Sequence, residues 1–409
     1  MPARTAAFLS LLALLAACGD DRPGTTTSRA SAPPPSTPVS SAAPTFDPPK
    51  AFSDKPMRIT PDASALVGHG LAFTSMAEGQ DSLGRGGPTL TIHAISLGDG
   101  EERWQASTPL TSATRPRVDN SFFRLADSGP ARLVWAGIHR TEGSGTQQDR
   151  FELVAGAVDA TTGRQVWSTR QPFTGSDAPE GASARVVGAD ETRAVLSIAH
   201  RGGTVTGAIV DARAGRFIDT PPGFAPIGLA GGIVVGTRET ESGGTVAQGI
   251  DAGSGQVRWT GDVRVDDLGA AVVDDDVVRF GSASFFDTQT LLIGASDGAV
   301  RSTLPDRNEC AAAAADVIVC FSHQRVHALD TTGKPLWSLP DEAAGRVAPD
   351  VAAVHNGLVY ARANSGVVLD ARTGKDVVTD LDWTPDAVVP GYGVGRNQAE
   401  GLLVRRATA

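Results

Sequence analysis

Asp159-Ala160-Thr161-Thr162-Gly163-Arg164-Gln165-Val166-Trp167 decides the fold, because the chain repeats it. Asp251-Ala252-Gly253-Ser254-Gly255-Gln256-Val257-Arg258-Trp259 is a second copy. Asp330-Thr331-Thr332-Gly333-Lys334-Pro335-Leu336-Trp337 is a third, one residue shorter before its glycine. Asp370 to Gly374 and Asp211 to Gly215 keep the turn and lose the Trp. Around Gly100 and Trp104 the Gly-to-Trp spacing survives, and the weakest copy surrounds Gly298. A short polar stretch ending in Gly reads as a hairpin loop. The glycine supplies positive φ where a type I turn closes into a bulge. The aspartate can accept hydrogen bonds from amides of its own turn. The Trp then falls on the returning strand. Four of the six Trp residues (Trp104, Trp167, Trp259, Trp337) hold this slot. So large a side chain, repeated at one place, suggests packing between neighbouring sheets.

Apolar runs precede each turn. Gly357-Leu358-Val359-Tyr360-Ala361-Arg362 and Gly366-Val367-Val368-Leu369-Asp370 are one pair. Near-continuous Val/Ile runs suit strands buried on both faces. The turn glycines stand at 100, 163, 215, 255, 298, 333 and 374, a mean spacing of about 46 residues. That period, in Val/Gly/Thr-rich segments, predicts an all-β propeller over residues 55–409 and excludes a helical solenoid. The longer first intervals predict inserted loops near 140–150 and 171–183. After Gly374, Val388–Val394 and Leu402–Arg405 read as two strands of one more blade, and Pro56–Thr60 could supply a missing strand to it. Pairing the two chain ends would remove exposed edges. Eight blades are favoured, with seven as the alternative.

These units resemble the pyrroloquinoline-quinone-type (PQQ-type) propeller repeat, over roughly residues 64–409. The family name implies a quinoprotein dehydrogenase as one reading. Such enzymes have a vicinal disulfide beneath the cofactor, a calcium site and often a CxxCH haem site. This chain has no adjacent cysteines and no CxxCH, so no cofactor is expected. A functional analogy is the propeller lipoprotein of the outer-membrane β-barrel assembly machinery, which binds another protein. Arginine is used heavily here, and only four lysines occur. With the Ser/Thr/Pro-rich leader, this resembles a high-GC actinobacterial lipoprotein, where that machinery is absent. The role itself is therefore not carried over.

The N-terminus reads as an address. Arg4 precedes a short apolar run, too short to span a bilayer, which needs about 20 residues. Leu15-Ala16-Ala17-Cys18 resembles a bacterial lipobox. The resemblance implies a signal peptide over 1–17 and lipidation of Cys18. Residues 18–54, dominated after the cysteine by Ser, Thr, Pro and Ala, read as a disordered tether. The expected location is the outer face of the cytoplasmic membrane.

The net charge of -10 argues against nucleic acid as a partner. No GxSxG, HExxH or P-loop is present. His323 and His327 are expected to flank a turn, and Asp274-Asp275-Asp276 to form an acidic hairpin turn, so neither is assigned a metal. Ala311–Ala315 has helical propensity, but its place in the repeat says strand or loop. Cys310 and Cys320, in an oxidising compartment, are expected to form a structural disulfide. The function expected is binding or scaffolding of an envelope protein through propeller loops, with no catalytic residues. The alternative is a quinone-dependent or other enzyme, or a sensor for sugars or cell-wall fragments, working at the propeller face.

Overall fold

Each repeat begins locally, at its turn. In the first full copy, Asp159 Oδ1 accepts the amides of Thr161 and Thr162 at 3.0 and 2.9 Å. The Gly163 amide donates to the Asp159 carbonyl at 2.8 Å. Gly163 has φ +70°, and the strand register slips by one residue between Ala157 and Val158. This is the bulged hairpin the sequence predicts. The same aspartate-to-amide bonds form at Asp211, Asp251, Asp330 and Asp370. Even the weakest copy folds this way, with Gly298 at φ +73° and its amide on the Gly294 carbonyl.

The structure is a computed structural model. It describes residues 46–409 except 63, 79–88, 112–121, 127–128, 142, 174–181, 201, 283–288, 398 and 409. Its strands form eight antiparallel groups of four, here sheets 1 to 8. Sheets 1, 2 and 3 span 66–111, 123–172 and 183–219. Sheets 4 and 5 share the strand Val257–Val272, which pairs with Thr245–Asp251 through its first half and with Val277–Ser282 through its second. Sheets 6 and 7 span 309–339 and 350–381. Sheet 8 takes three strands from 387–406 and its fourth from Met57–Thr60, with Met57 opposite Val404 and Arg58 opposite Leu403.

The core lies between the sheets. Phe73 and Ile92 of sheet 1 pack with Leu133 and Trp135 of sheet 2. Leu153 of sheet 2 packs with Leu196 and Val210 of sheet 3. Similar clusters join each later pair. The last joins Ile59, Leu402 and Val404 of sheet 8 to Ala72 and Leu97 of sheet 1. Eight clusters bridge eight sheets head to tail, so the ring closes as an eight-bladed propeller. Each large buried side chain stabilises this arrangement by about 1.5–3 kcal/mol. First strands of successive sheets touch one another, which puts them around the centre. Fourth strands such as Gln165–Pro172 alternate exposed and half-buried residues at the rim.

Two boundaries differ from the sequence reading. Val388–Val394 is two strands, Ala387–Val389 and Tyr392–Asn397, because Pro390-Gly391 makes a tight turn with Gly391 at φ +78°. Residues 46–54 were expected in the disordered tether, yet they lie against sheets 7 and 8. Phe46 and Phe52 give this piece the apolar anchors that the rest of 18–54 lacks. The Ala311–Ala315 stretch follows the repeat and not its propensity, with Ala311–Ala314 in the strand Glu309–Ala314 and Ala315 in the turn after it. Cys18 and the whole of residues 1–17 lie outside the described residues, as does most of the 171–183 insertion. The other insertion separates Arg132–Thr141 from Arg150–Asp159, where the Asp149 carboxylate holds Arg140 and the Gly143 amide.

Candidate functional site: the two loop faces

The repeat residues seal the seams between sheets. The Trp104 indole donates to the Ala160 carbonyl in the turn of the next sheet at 3.1 Å. Trp259 does the same to Ala295, and Trp337 to Ala371, each at 2.8 Å. The ring also closes on the turn glycine. A Cβ at Gly163 would come 2.7 Å from Trp104, and one at Gly374 would come 2.6 Å from Trp337. Glycine at these positions thus serves both positive φ and close approach. Trp167 is different, since a Cβ at Gly215 would meet nothing within 4 Å. Trp167 packs instead in the apolar cluster between sheets 2 and 3.

All these turns lie on one face of the ring, with the hairpins that join first and second strands. Their carboxylates are engaged by their own backbone. Thr161 and Thr162 hold Asp159 below the usual carboxylate range, and Arg258 with Ser254 draws Asp251 down to about 2. The acidic run is one of these hairpins. Asp274 Oδ1 accepts the amides of Asp276 and Val277 at 2.8 and 2.7 Å, while burial pushes the Asp274 carboxyl up. Gly100, Gly215, Gly255 and Gly333 complete the set of turns on this face, all with positive φ.

The opposite face is built from the connections between sheets and from the turns between second and third strands. Here sheets 5, 6 and 7 bring charged groups together. Arg307, in the linker into sheet 6, reaches Asp266 of sheet 5 at 2.9 Å. Its neighbour Asp306 lies 3.9 Å from Arg325 in the turn of sheet 6. From that same turn, His323 lies 3.9 Å from Asp350 at the start of sheet 7. His323 and His327 were expected to flank a turn; His323 instead sits within it, at 322–325, and His327 lies just beyond it on the strand Val326–Asp330. Burial, with Arg325 beside it, pushes the His327 imidazole down, partly countered by Asp306. Beneath this chain of charges, Arg279 donates to the Asn308 carbonyl at 2.9 Å and also to the Gly269 carbonyl, tying down the linker. The exposed pairs contribute little to stability, about 0–1 kcal/mol each. The Arg307 and Arg325 guanidiniums and the Asp306 carboxylate remain half-exposed and able to bond elsewhere. Sequence reasoning missed Asp266, Asp306, Arg307, Arg325 and Asp350. Their signal was positional, since each lies at or beside a connection on the face opposite the repeat turns.

Cys310 and Cys320 stand opposite one another on neighbouring strands of sheet 6 and are joined by a disulfide, with Cα atoms 4.0 Å apart. Cys320 is buried against Leu292 and Leu304 of sheet 5. The described residues do not fit a PQQ centre. Their only disulfide crosses two strands in a seam between sheets instead of joining adjacent residues. Among the described residues, no three His, Cys, Asp or Glu side chains gather to hold a metal ion.

Comparison with known proteins follows this geometry. No curated protein matches the chain. A computationally designed protein, Ika8, is 13% identical with a TM-score of 0.46, over 84% of this chain and 98% of that one. The quinohemoprotein alcohol dehydrogenase of Comamonas testosteroni is 11% identical with a TM-score of 0.39, over 85% of this chain and 70% of that one. A family model described as outer membrane protein assembly factor BamB matches residues 154–390, more than half of the chain. With PQQ-type repeats closed into a ring of eight sheets, the chain belongs to that family.

Proposed function

We propose that this chain is a non-catalytic binding or scaffolding lipoprotein, anchored through Cys18 at the outer face of the cytoplasmic membrane. It engages an envelope protein through the loop face that carries Asp266, Arg307, Arg325 and Asp350. The observation that carries this reading is the run of charged groups that three sheets bring together on one loop face. On the face of the repeat turns, the turn carboxylates are engaged by their own backbone. On the other, charged groups from three sheets, with Arg307 and Arg325 half-exposed, are gathered within reach of a partner. The family supports a scaffold that works by protein binding. The outer-membrane assembly role named for that family is not part of this proposal. Function on this fold sits in its loops.

The test is capture. The soluble body, from residue 46 onward, is immobilised and exposed to detergent-solubilised envelope of the source cell. Recovery of one envelope protein in near-stoichiometric amount is expected, and lower recovery with Arg307→Glu/Arg325→Glu bait. Reproducible recovery of nothing with folded bait would overturn the reading.

A further inference from the structure

The seam between sheets 7 and 8 is covered by a segment from outside the sheets. Sheet 7 places Val378, not Trp, in the slot after its turn glycine, Gly374. Sheet 8 has no Asp-to-Gly turn, because its fourth strand comes from the other end of the chain. The Trp-on-glycine lock that seals the seams after sheets 1, 4 and 6 has no counterpart here. In its place lies Phe46-Asp47-Pro48-Pro49-Lys50-Ala51-Phe52-Ser53.

Side chains of the propeller read the backbone of this segment. Asn356 Nδ2 donates to the Phe46 carbonyl at 2.8 Å. The Tyr360 phenol donates to the Pro49 carbonyl at 2.7 Å. Both aromatic ends are received by rings. Phe46 stacks on His355 with centroids 4.6 Å apart. Phe52 meets Trp383 edge-on at 5.4 Å and lies 6.3 Å from Tyr360. A Cβ at Gly393 would come 2.5 Å from the Phe52 ring, so that glycine makes room for it. The far end is sewn by backbone, with Ser53 N–H on the Arg406 carbonyl at 2.8 Å and Thr408 N–H on the Ala51 carbonyl at 3.0 Å. Aromatic rings around a Pro-containing extended segment, with side-chain donors on its carbonyls, are the features by which grooves bind Pro-rich peptides.

We propose that the seam between sheets 7 and 8 is a peptide-binding groove for an extended, Pro-containing segment with aromatic residues at both ends. Its resident occupant is this chain's own Phe46–Ser53, bound in cis. The groove thereby clamps the base of the tether and covers one of the seams that have no Trp lock. The inference is independent of lipidation at Cys18 and of any protein partner.

The test cuts the covalent link and keeps the contacts. A protease site is inserted in the full chain between Asp54 and Lys55, both exposed, and the folded protein is cleaved. The N-terminal fragment is expected to co-elute with the body. A synthetic peptide of residues 46–53 should displace it. The same peptide with Phe46→Ala and Phe52→Ala should need at least about tenfold more, since each ring loses its buried contact. Separation of the fragment on cleavage, or equal displacement by both peptides, would overturn the proposal. Hydrogen exchange on the intact chain gives an arm that needs no cleavage. In the Phe46→Ala/Phe52→Ala variant, the Ser53 and Thr408 amides should exchange at least about tenfold faster, with sheets 2 to 5 unchanged. Unchanged protection at those amides would overturn it, and protection found only in a dimer would overturn the cis assignment.

Discussion

Replacing Trp337 by Ala tests the role given to the repeat. The substitution removes an indole that lies on Gly374 and donates to the Ala371 carbonyl at 2.8 Å. Trp337 is half-buried among Ala328, Val359 and Leu369. Large-to-small changes of aromatic core residues cost about 3–5 kcal/mol. Half-burial places this one near the lower end, at about 3 kcal/mol. Trp337→Phe keeps most of the stacking and loses the hydrogen bond, for about 1 kcal/mol. Gly374→Ala is costly for two reasons. Positive φ costs a non-glycine residue about 1 kcal/mol, and the added methyl meets the indole at 2.6 Å. Once the indole is gone, the second cost disappears. The double variant should therefore fall short of additivity by about 1 kcal/mol or more. Trp167 supplies the control, because nothing crowds Gly215. Trp167→Ala and Gly215→Ala should add within about 0.5 kcal/mol. Urea unfolding followed by circular dichroism measures each value, with an unchanged slope marking a change in stability alone. Equal behaviour of the two pairs would refute the lock.

Further outcomes follow from other parts of the ring. Reducing Cys310–Cys320 should cost about 3 kcal/mol by freeing a short loop in the unfolded chain, read as a lower urea midpoint in reductant. His327 and His355 have imidazoles pushed below 6.5, mainly by burial. The unfolded chain then binds more protons as pH falls past 6.5, so the stability they contribute is full above that pH and is lost below it. His327→Gln with His355→Gln should flatten stability between about pH 7 and 5. Asp251 acts lower, contributing stability above 3.8 that is lost as pH falls through about 2. Asp251→Asn should therefore reduce the acid dependence in that window. Cys18→Ala should move the protein from the membrane to the soluble fraction, measured by fractionation.

Much of this architecture was legible because the repeat is local. An Asp, a Gly at fixed offset and a Trp four residues later are short-range signals, and each meets its expected partner within one turn or one neighbouring sheet. Closure was legible from the excess strands after Gly374 together with Pro56–Thr60. What escaped was non-local. Nothing in Phe46-Asp47-Pro48-Pro49 announces that Tyr360, more than 300 residues on, will donate to it. The charged face escaped for the same reason. Asp266, Arg307, Arg325 and Asp350 are ordinary surface residues in sequence and become one patch only when the ring aligns three sheets. The tryptophans differ among themselves too, as Trp167 occupies the slot without closing on its glycine.

The central claim is that the face opposite the repeat turns binds an envelope protein. The most direct measurement places a photo-crosslinking residue at position 325 or at position 215 of the full-length chain in its own cell. The account predicts one discrete adduct with an envelope protein from 325 and none from 215. No adduct from 325, or the same adduct from both, would contradict it.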